Sequence, residues 1–305
     1  MNIPIFTNKS ERIDFLLKNK KTILQQKKNE NKIISLNHFN LDDSKNETIK
    51  ALFTGISSKD SDTEIFRTLA ISNTKYIDSH SDAHWDGCFT KSLKENSKNL
   101  YLNENHEGGF RAIICYPVDL KVYNRLVFWQ DLGYNSQGTT DVLFYDASIK
   151  QANNDFMFDL YKRDLVTNHS IEMRYIDIVM CIQPQNAEEV DDGAEKEAWN
   201  KYYPEIVNKE VADELGYFFV VKELKILGAA AVPRGSNNRT PAFKNELTNE
   251  IIQKFENRIL ALEQIIENNK PQPALEIDKI EEPQAIIEKS ETEPDKTSSD
   301  LIYLL

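Results

Sequence analysis

A serine hydroxyl attacks a carbonyl only when a neutral imidazole within hydrogen-bond reach can take its proton. The chain holds five histidines, His38, His80, His84, His106 and His169. The serine best placed for chemistry is Ser170, in Thr167-Asn168-His169-Ser170-Ile171-Glu172-Met173-Arg174-Tyr175-Ile176. That run alternates like a strand, so Ser170, Glu172, Arg174 and Ile176 share one face while His169, Ile171, Met173 and Tyr175 take the other. His169 therefore points away from the serine it adjoins, and a base must come from elsewhere. His106 follows a short apolar strand and precedes Gly108-Gly109, a strand end in a tight turn where an imidazole can sit at a cleft edge. Ser170 with His106 is the arrangement acyl transfer requires; a strand serine and an unrelated loop histidine is the plain alternative on spacing alone.

His80 and His84 interleave with Asp78, Asp82 and Asp86, a donor set that suits divalent metals. A metal hydrolase at His80, His84 and Asp86 is one reading. The other is a turn before a helix, naturally rich in Asp and Ser, and the spacing matches no closed zinc motif. We expect no metal and no cofactor: neither GxGxxG nor GxxxxGK[ST] occurs. Cys88, Cys115 and Cys181 are an odd set without ligand spacing and read as free thiols in a reducing compartment. His38 reads as a surface residue of a polar loop.

The elements that must position these groups are legible in outline. Residues 8–30 carry a helical stripe (Ile13, Leu16, Leu17, Ile23, Leu24) with a lysine-rich opposite face that could dock on an acidic surface. Polar loops follow to residue 63. Strand-like runs recur at 65–71, 75–77, 99–102, 110–123, 141–145, 170–182 and 217–232, with helices expected at 90–96, 125–132, 151–163 and within 188–216. Residues 247–269 have a clean helical period, and the Pro- and acid-rich remainder lacks one. The reading is an α+β fold with a mixed, largely antiparallel sheet or barrel and flanking helices. Its parts are an N-terminal helical arm (1–63), a core (64–245), a C-terminal helix (246–270) and a disordered acidic tail (271–305). The net charge of −12 over 305 residues argues against general nucleic-acid binding. No apolar run approaches the roughly 20 residues a membrane span needs.

Four segments, in order, resemble the tailed-phage prohead serine proteases, a family with a herpesvirus-assemblin-like fold. They are Asp78-Ser79-His80 through Asp86-Gly87-Cys88-Phe89-Thr90-Lys91-Ser92-Leu93; Trp129 through Asp141 with Phe156 to Tyr161; Asn168-His169-Ser170-Ile171 with Met173-Arg174-Tyr175; and Ala230-Ala231-Val232 through Gly235-Ser236-Asn237. The resemblance covers about residues 64–243. It implies a maturation endopeptidase with Ser170 as nucleophile and His106 as general base. It would be made in the host bacterial cytoplasm and act inside the prohead on scaffold and major capsid proteins. No membrane contact or direct nucleic-acid recognition is implied, and a homo-oligomer is compatible with it. The chain departs from the family pattern twice. Glu172 stands where Gly commonly lies two places after the nucleophile, and Gly228 where an acid often precedes the small residues of the last core strand. Glu223, on that strand, is the candidate third member; Glu172 is the other residue that could take the acid's role. The same departures leave a second reading, an inactive protease-fold protein serving capsid assembly or structure.

Overall fold

The computed structural model describes residues 3, 4, 6, 8–29, 60–184, 193–244, 260, 261, 263 and 264. His38, most of the expected C-terminal helix and the acidic tail lie outside them; the four described residues of 247–269 are helical.

The chain opens with two helices, α1 (Lys9–Lys18) and α2 (Lys20–Asn29). The sequence predicts one helix here, and Asn19 divides it. The Asn19 amide donates to the Phe15 carbonyl at 2.8 Å, a local bond that competes with the helix ladder. Asn8 caps α1 by accepting from the Ser10 N–H. Ile13, Leu16 and Ile23 belong to the main core, so the two helices pack against the rest of the fold.

Two sheets meet across that core. The first is antiparallel throughout, in the order β5 (Leu120–Phe128), β6 (Thr139–Lys150), β1 (Glu64–Asn73), β9 (Ala242–Lys244). The second is built on β8 (Tyr217–Ala231), which pairs antiparallel with β7 (His169–Ile182) along one edge. Along its other edge lie two short parallel strands, β2 (Asp82–His84) and β3 (Leu102–Glu104), and β4 (Ile113–Cys115) pairs with β3. The fold is thus mixed α+β with antiparallel-rich sheets, and the sheets do not close into a barrel. Helices α3 (Thr90–Asn96), α4 (Asp155–Lys162), α5 (Gly193–Tyr202) and α6 (Lys209–Leu215) complete it.

Two sequence expectations differ locally. Arg125 to Phe128, expected as a helix, continues β5 opposite Thr139 to Val142, because the β6 edge is there to satisfy its backbone. Only Trp129–Leu132 turns, as a 3₁₀ segment closed by Gly133 at φ +86°. Within the Asp-rich stretch, expected as a turn, Asp82–His84 is a buried strand paired with Phe219 to Val221.

The alternation read from the sequence holds along the start of β7. Ile171, Met173 and Tyr175 enter the core with Ala229, Ala231 and Leu102, so their neighbours Ser170, Glu172, Ala230, Gly228 and Asn103 take the opposite face.

Candidate active site

The site is assembled on three adjacent strands. Ser170 lies directly opposite Ala230 on β8, and Asn103 of β3 lies opposite the same Ala230 from the other edge. Ser170 and Asn103 therefore share a row and a face, about 10 Å apart at two strand spacings. One step along, Glu172 lies opposite Gly228. Glu172 and Gly228 thus face each other across the β7–β8 ladder.

That pairing decides where the Glu172 carboxylate goes. A Cβ added at Gly228 would stand 3.0 Å from Glu172 Oε2. Without one, the side chain crosses over β8 towards β3. Its Oε1 accepts from the Asn103 amide at 2.8 Å and bonds His106 Nδ1 at 3.0 Å.

His106 arrives from β3 through a tight turn. The Asn105 N–H donates to the Ala231 carbonyl at 2.9 Å, prolonging the β3–β8 pairing by one residue. The backbone then reverses with Asn105 at φ +49° and His106 at φ +62°, a left-handed pair that Asn and His adopt more readily than branched residues. The His106 N–H donates back to Asn103 Oδ1 at 3.1 Å.

Chemistry follows from the bond at Nδ1. An ionised carboxylate only accepts, so Nδ1 carries the proton in the neutral ring and Nε2 carries the lone pair. The His106 side chain is 3% exposed, and Nε2 is buried without a partner. That atom is a base with its orienting acid already in place. The hydrogen bond from His106 holds the Glu172 carboxyl below the usual carboxylate range, against a smaller upward push from burial; the Asn103 amide adds to the lowering. Ser170 is 6% exposed, and among the described residues no hydrogen bond joins its hydroxyl to His106.

Comparison with protein-family models, curated proteins and solved structures found no match. The functional reading therefore rests on this geometry and on the sequence motifs.

Of the residues singled out in the sequence, Glu172 and His106 meet through a hydrogen bond, and Ser170 lies on the same face of β7 as Glu172. Glu223 does not join them. It ion-pairs with Lys91 at 2.7 Å with its side chain 34% exposed, and it lies five residues before Gly228, about 16 Å along β8. The His106 ring instead takes Glu172, which is directly opposite Gly228.

His169 occupies the inner face, as its parity demands. It is 1% exposed, shares a 2.8 Å hydrogen bond with the Tyr161 hydroxyl, and burial lowers its pKa to about 4. A small cavity borders Ser170 from this core side, lined also by Ile171, Met173, His169, His84 and Asp78. Of the candidate metal residues, His80 stays beside Asp78, with Nδ1 3.7 Å from Oδ2, while the others have separate side-chain partners. His84 Nδ1 bonds Ser72 at 2.8 Å across the sheets, Asp86 pairs with Lys75 at 2.7 Å, and Asp82 binds the Lys27 ammonium. Among the described residues no group of three or more His, Cys, Asp or Glu side chains is arranged to hold a metal ion. The three cysteines are free and buried, and no described helix is long and apolar enough to cross a membrane.

Asn103 is the site residue the sequence reading missed. Its signal was an uncharged amide ending the apolar run Leu100-Tyr101-Leu102, three residues before the base. Chain proximity of Asn103 and His106 is visible in the sequence; their convergence on Glu172 requires the register of three strands.

Proposed function

We propose that this chain is a serine endopeptidase of the prohead-maturation kind, cutting scaffold and capsid proteins inside an assembling bacteriophage particle. The observation that carries the reading is the Glu172–His106 hydrogen bond. It leaves a buried, unpartnered Nε2 on the sheet face that also bears Ser170. The ordered sequence motifs supply the substrate class and the place of action, and the antiparallel-rich α+β architecture is compatible with the assemblin-like fold they imply.

The reaction proceeds in two halves. The Ser170 hydroxyl rotates toward His106, whose Nε2 takes its proton as Oγ bonds to the scissile carbonyl carbon; Nδ1 stays on Glu172 throughout. The imidazolium then protonates the leaving amine as the C–N bond breaks, and water completes hydrolysis of the acyl-enzyme through the same base. Val232 N–H donates to Asn168 O, two residues before Ser170. By ladder alternation Ser170 N–H is engaged with Ala230, and the Ile171 N–H points away from β8. Ile171 is therefore the amide to which we assign oxyanion stabilisation.

A second reading has its own observation: Ser170 is nearly buried and is not bonded to His106. An inactive protease-fold assembly protein would look the same at this serine. A fluorophosphonate probe separates the two. The enzyme reading expects covalent labelling of Ser170 and cleavage of co-expressed scaffold and capsid protein, both lost in Ser170→Ala. Labelling and cleavage equally absent from wild type and variant would leave the assembly role.

A further inference from the structure

Two hydrogen bonds converge on one side chain that no motif points to. Asn103 is 7% exposed and occupies the same row of the sheet as Ser170. Its amide oxygen accepts the His106 N–H at 3.1 Å, and its amide nitrogen donates to Glu172 Oε1 at 2.8 Å. The orientation of the amide is not arbitrary: a backbone N–H can only donate, so the oxygen must face His106 and the NH₂ must face the carboxylate. Glu172 Oε1 thus receives two donors, the Asn103 amide and His106 Nδ1, while Oε2 lies over Gly228.

We propose that Asn103 is a positioning residue that locks base and acid into one rigid unit, an inference that rests on the endopeptidase reading above. It touches neither the nucleophile nor the scissile bond. Its amide oxygen fixes the left-handed turn that delivers the ring, and its NH₂ fixes the rotation of the carboxylate that selects the ring's tautomer. Either hydrogen bond alone would leave a degree of freedom. With the turn loose, Nε2 wanders from the serine. With the carboxylate loose, Nδ1 can surrender its proton to Nε2, and the base becomes a donor facing the nucleophile.

The shape of the clamp explains why an amide is needed. Aspartate at this position keeps the acceptor for the His106 N–H but presents a second carboxylate to Glu172, 2.8 Å away where a donor now stands. Like charges that close cannot both remain ionised without cost, and the added negative charge favours the imidazolium. Leucine, of similar shape, removes both bonds.

The test uses the full chain with two independent readouts. Nitrogen-15 NMR of the His106 ring in a Ser170→Ala background reports the tautomer without requiring turnover. Wild type is expected to show protonated Nδ1 and lone-pair Nε2 at pH 8, and Asn103→Leu a mixture of both forms. The pH dependence of Ser170 labelling by a fluorophosphonate is the second. Asn103→Asp is expected to move its acidic midpoint up by about half a unit or more, and Asn103→Leu to slow labelling ~10–100-fold. Asn103→Asp is nearly isosteric and keeps the experiment decisive if the leucine variant fails to fold. A wild-type tautomer in Asn103→Leu, or in the aspartate variant an unmoved midpoint with wild-type labelling, overturns the clamp. Absence of labelling in wild type overturns the endopeptidase reading instead, and the tautomer measurement still decides whether Asn103 positions the pair.

Discussion

A carboxylate bonded to Nδ1 does two separate things to an imidazole: it fixes the tautomer, and it stabilises the cation formed when Nε2 takes a proton. Glu172→Gln separates these from simple loss of packing. The Asn103 amide and His106 Nδ1 both donate to the Oε1 position, so the glutamine oxygen takes that place and keeps the tautomer while the charge is lost, and labelling of Ser170 should fall by roughly ten-fold or more with little change in melting temperature. Glu223→Ala should leave labelling unchanged, because its partner Lys91 is 63% exposed and such surface pairs contribute about 0–1 kcal/mol. His169 should be felt in stability and not in catalysis. Its folded pKa, about 4, lies below the ordinary 6.5 because burial disfavours the charged ring. Between those values the unfolded chain takes up a proton that the folded chain refuses. The contribution of a neutral His169 is therefore fully present above about pH 6.5 and is lost as pH falls to about 4, some 3 kcal/mol at 1.36 kcal/mol per pKa unit. The acid at the site adds to the trend lower down, since the depressed carboxyl of Glu172 loses its contribution only as pH drops below the usual carboxylate range. Urea unfolding between pH 4 and 7 should show a shallower slope in His169→Gln than in wild type; an identical slope would assign the acid sensitivity to other groups.

At the scale of elements, the site is a property of the β7–β8 ladder. The run Gly228-Ala229-Ala230-Ala231 is small on both faces for different reasons. Ala229 and Ala231 face the core, while Gly228 and Ala230 form the floor between Ser170 and Glu172 on one side and Asn103 on the other. Gly228→Val puts branched carbon where Glu172 Oε2 lies within 3.0 Å of a bare Cβ position, and should displace the carboxylate and abolish labelling. Because Glu172 and Gly228 are direct cross-strand partners, an acid on either strand reaches the same side of the sheet. The exchange variant Glu172→Gly with Gly228→Glu should recover at least ten-fold over Glu172→Gly alone; equal loss in both would show that the acid must come from β7. Much of this was legible beforehand. Period-two alternation put Ser170 and Glu172 on one face and His169 on the other. It could not rank Glu172 against Glu223, because that choice depends on which β8 residue stands opposite. Bulges between Glu172 and Met173, and again near Asp177, reset the register along that pair. β2 was equally hidden: Asp82-Ala83-His84 has turn composition and becomes a strand because it finds the β8 edge.

At the scale of the whole molecule, two lysines of the N-terminal helices find acidic partners within the chain itself. Lys20 pairs with Glu195, and Lys27 reaches Asp82 at 2.5 Å, a carboxylate with no side-chain exposure that also accepts from the Tyr175 hydroxyl at 2.9 Å. Lys9 and Arg12 donate to the Asp213 and Leu215 carbonyls at the end of α6. Beneath these contacts Ile13, Leu16 and Ile23 fill the core beside β7. A removable arm and an integral layer predict opposite outcomes for Lys27→Met. If the helices were an arm, the substitution would leave urea unfolding unchanged. As part of the core, it strands a buried carboxylate, a loss of about 3–5 kcal/mol. Asp82→Asn added to Lys27→Met removes the stranded charge, so the double variant should be more stable than Lys27→Met alone, with a coupling of 1 kcal/mol or more in a double-mutant cycle. Asp82 opens the strand that pairs with Phe219 on β8, and Tyr175 lies on β7, so the pair ties the N-terminal helices to both strands of the β7–β8 ladder. Loss of Lys27 should accordingly lower Ser170 labelling only in step with the fraction unfolded. Labelling that fell at urea concentrations where the variant remains folded would mean that the helices also hold the ladder's register.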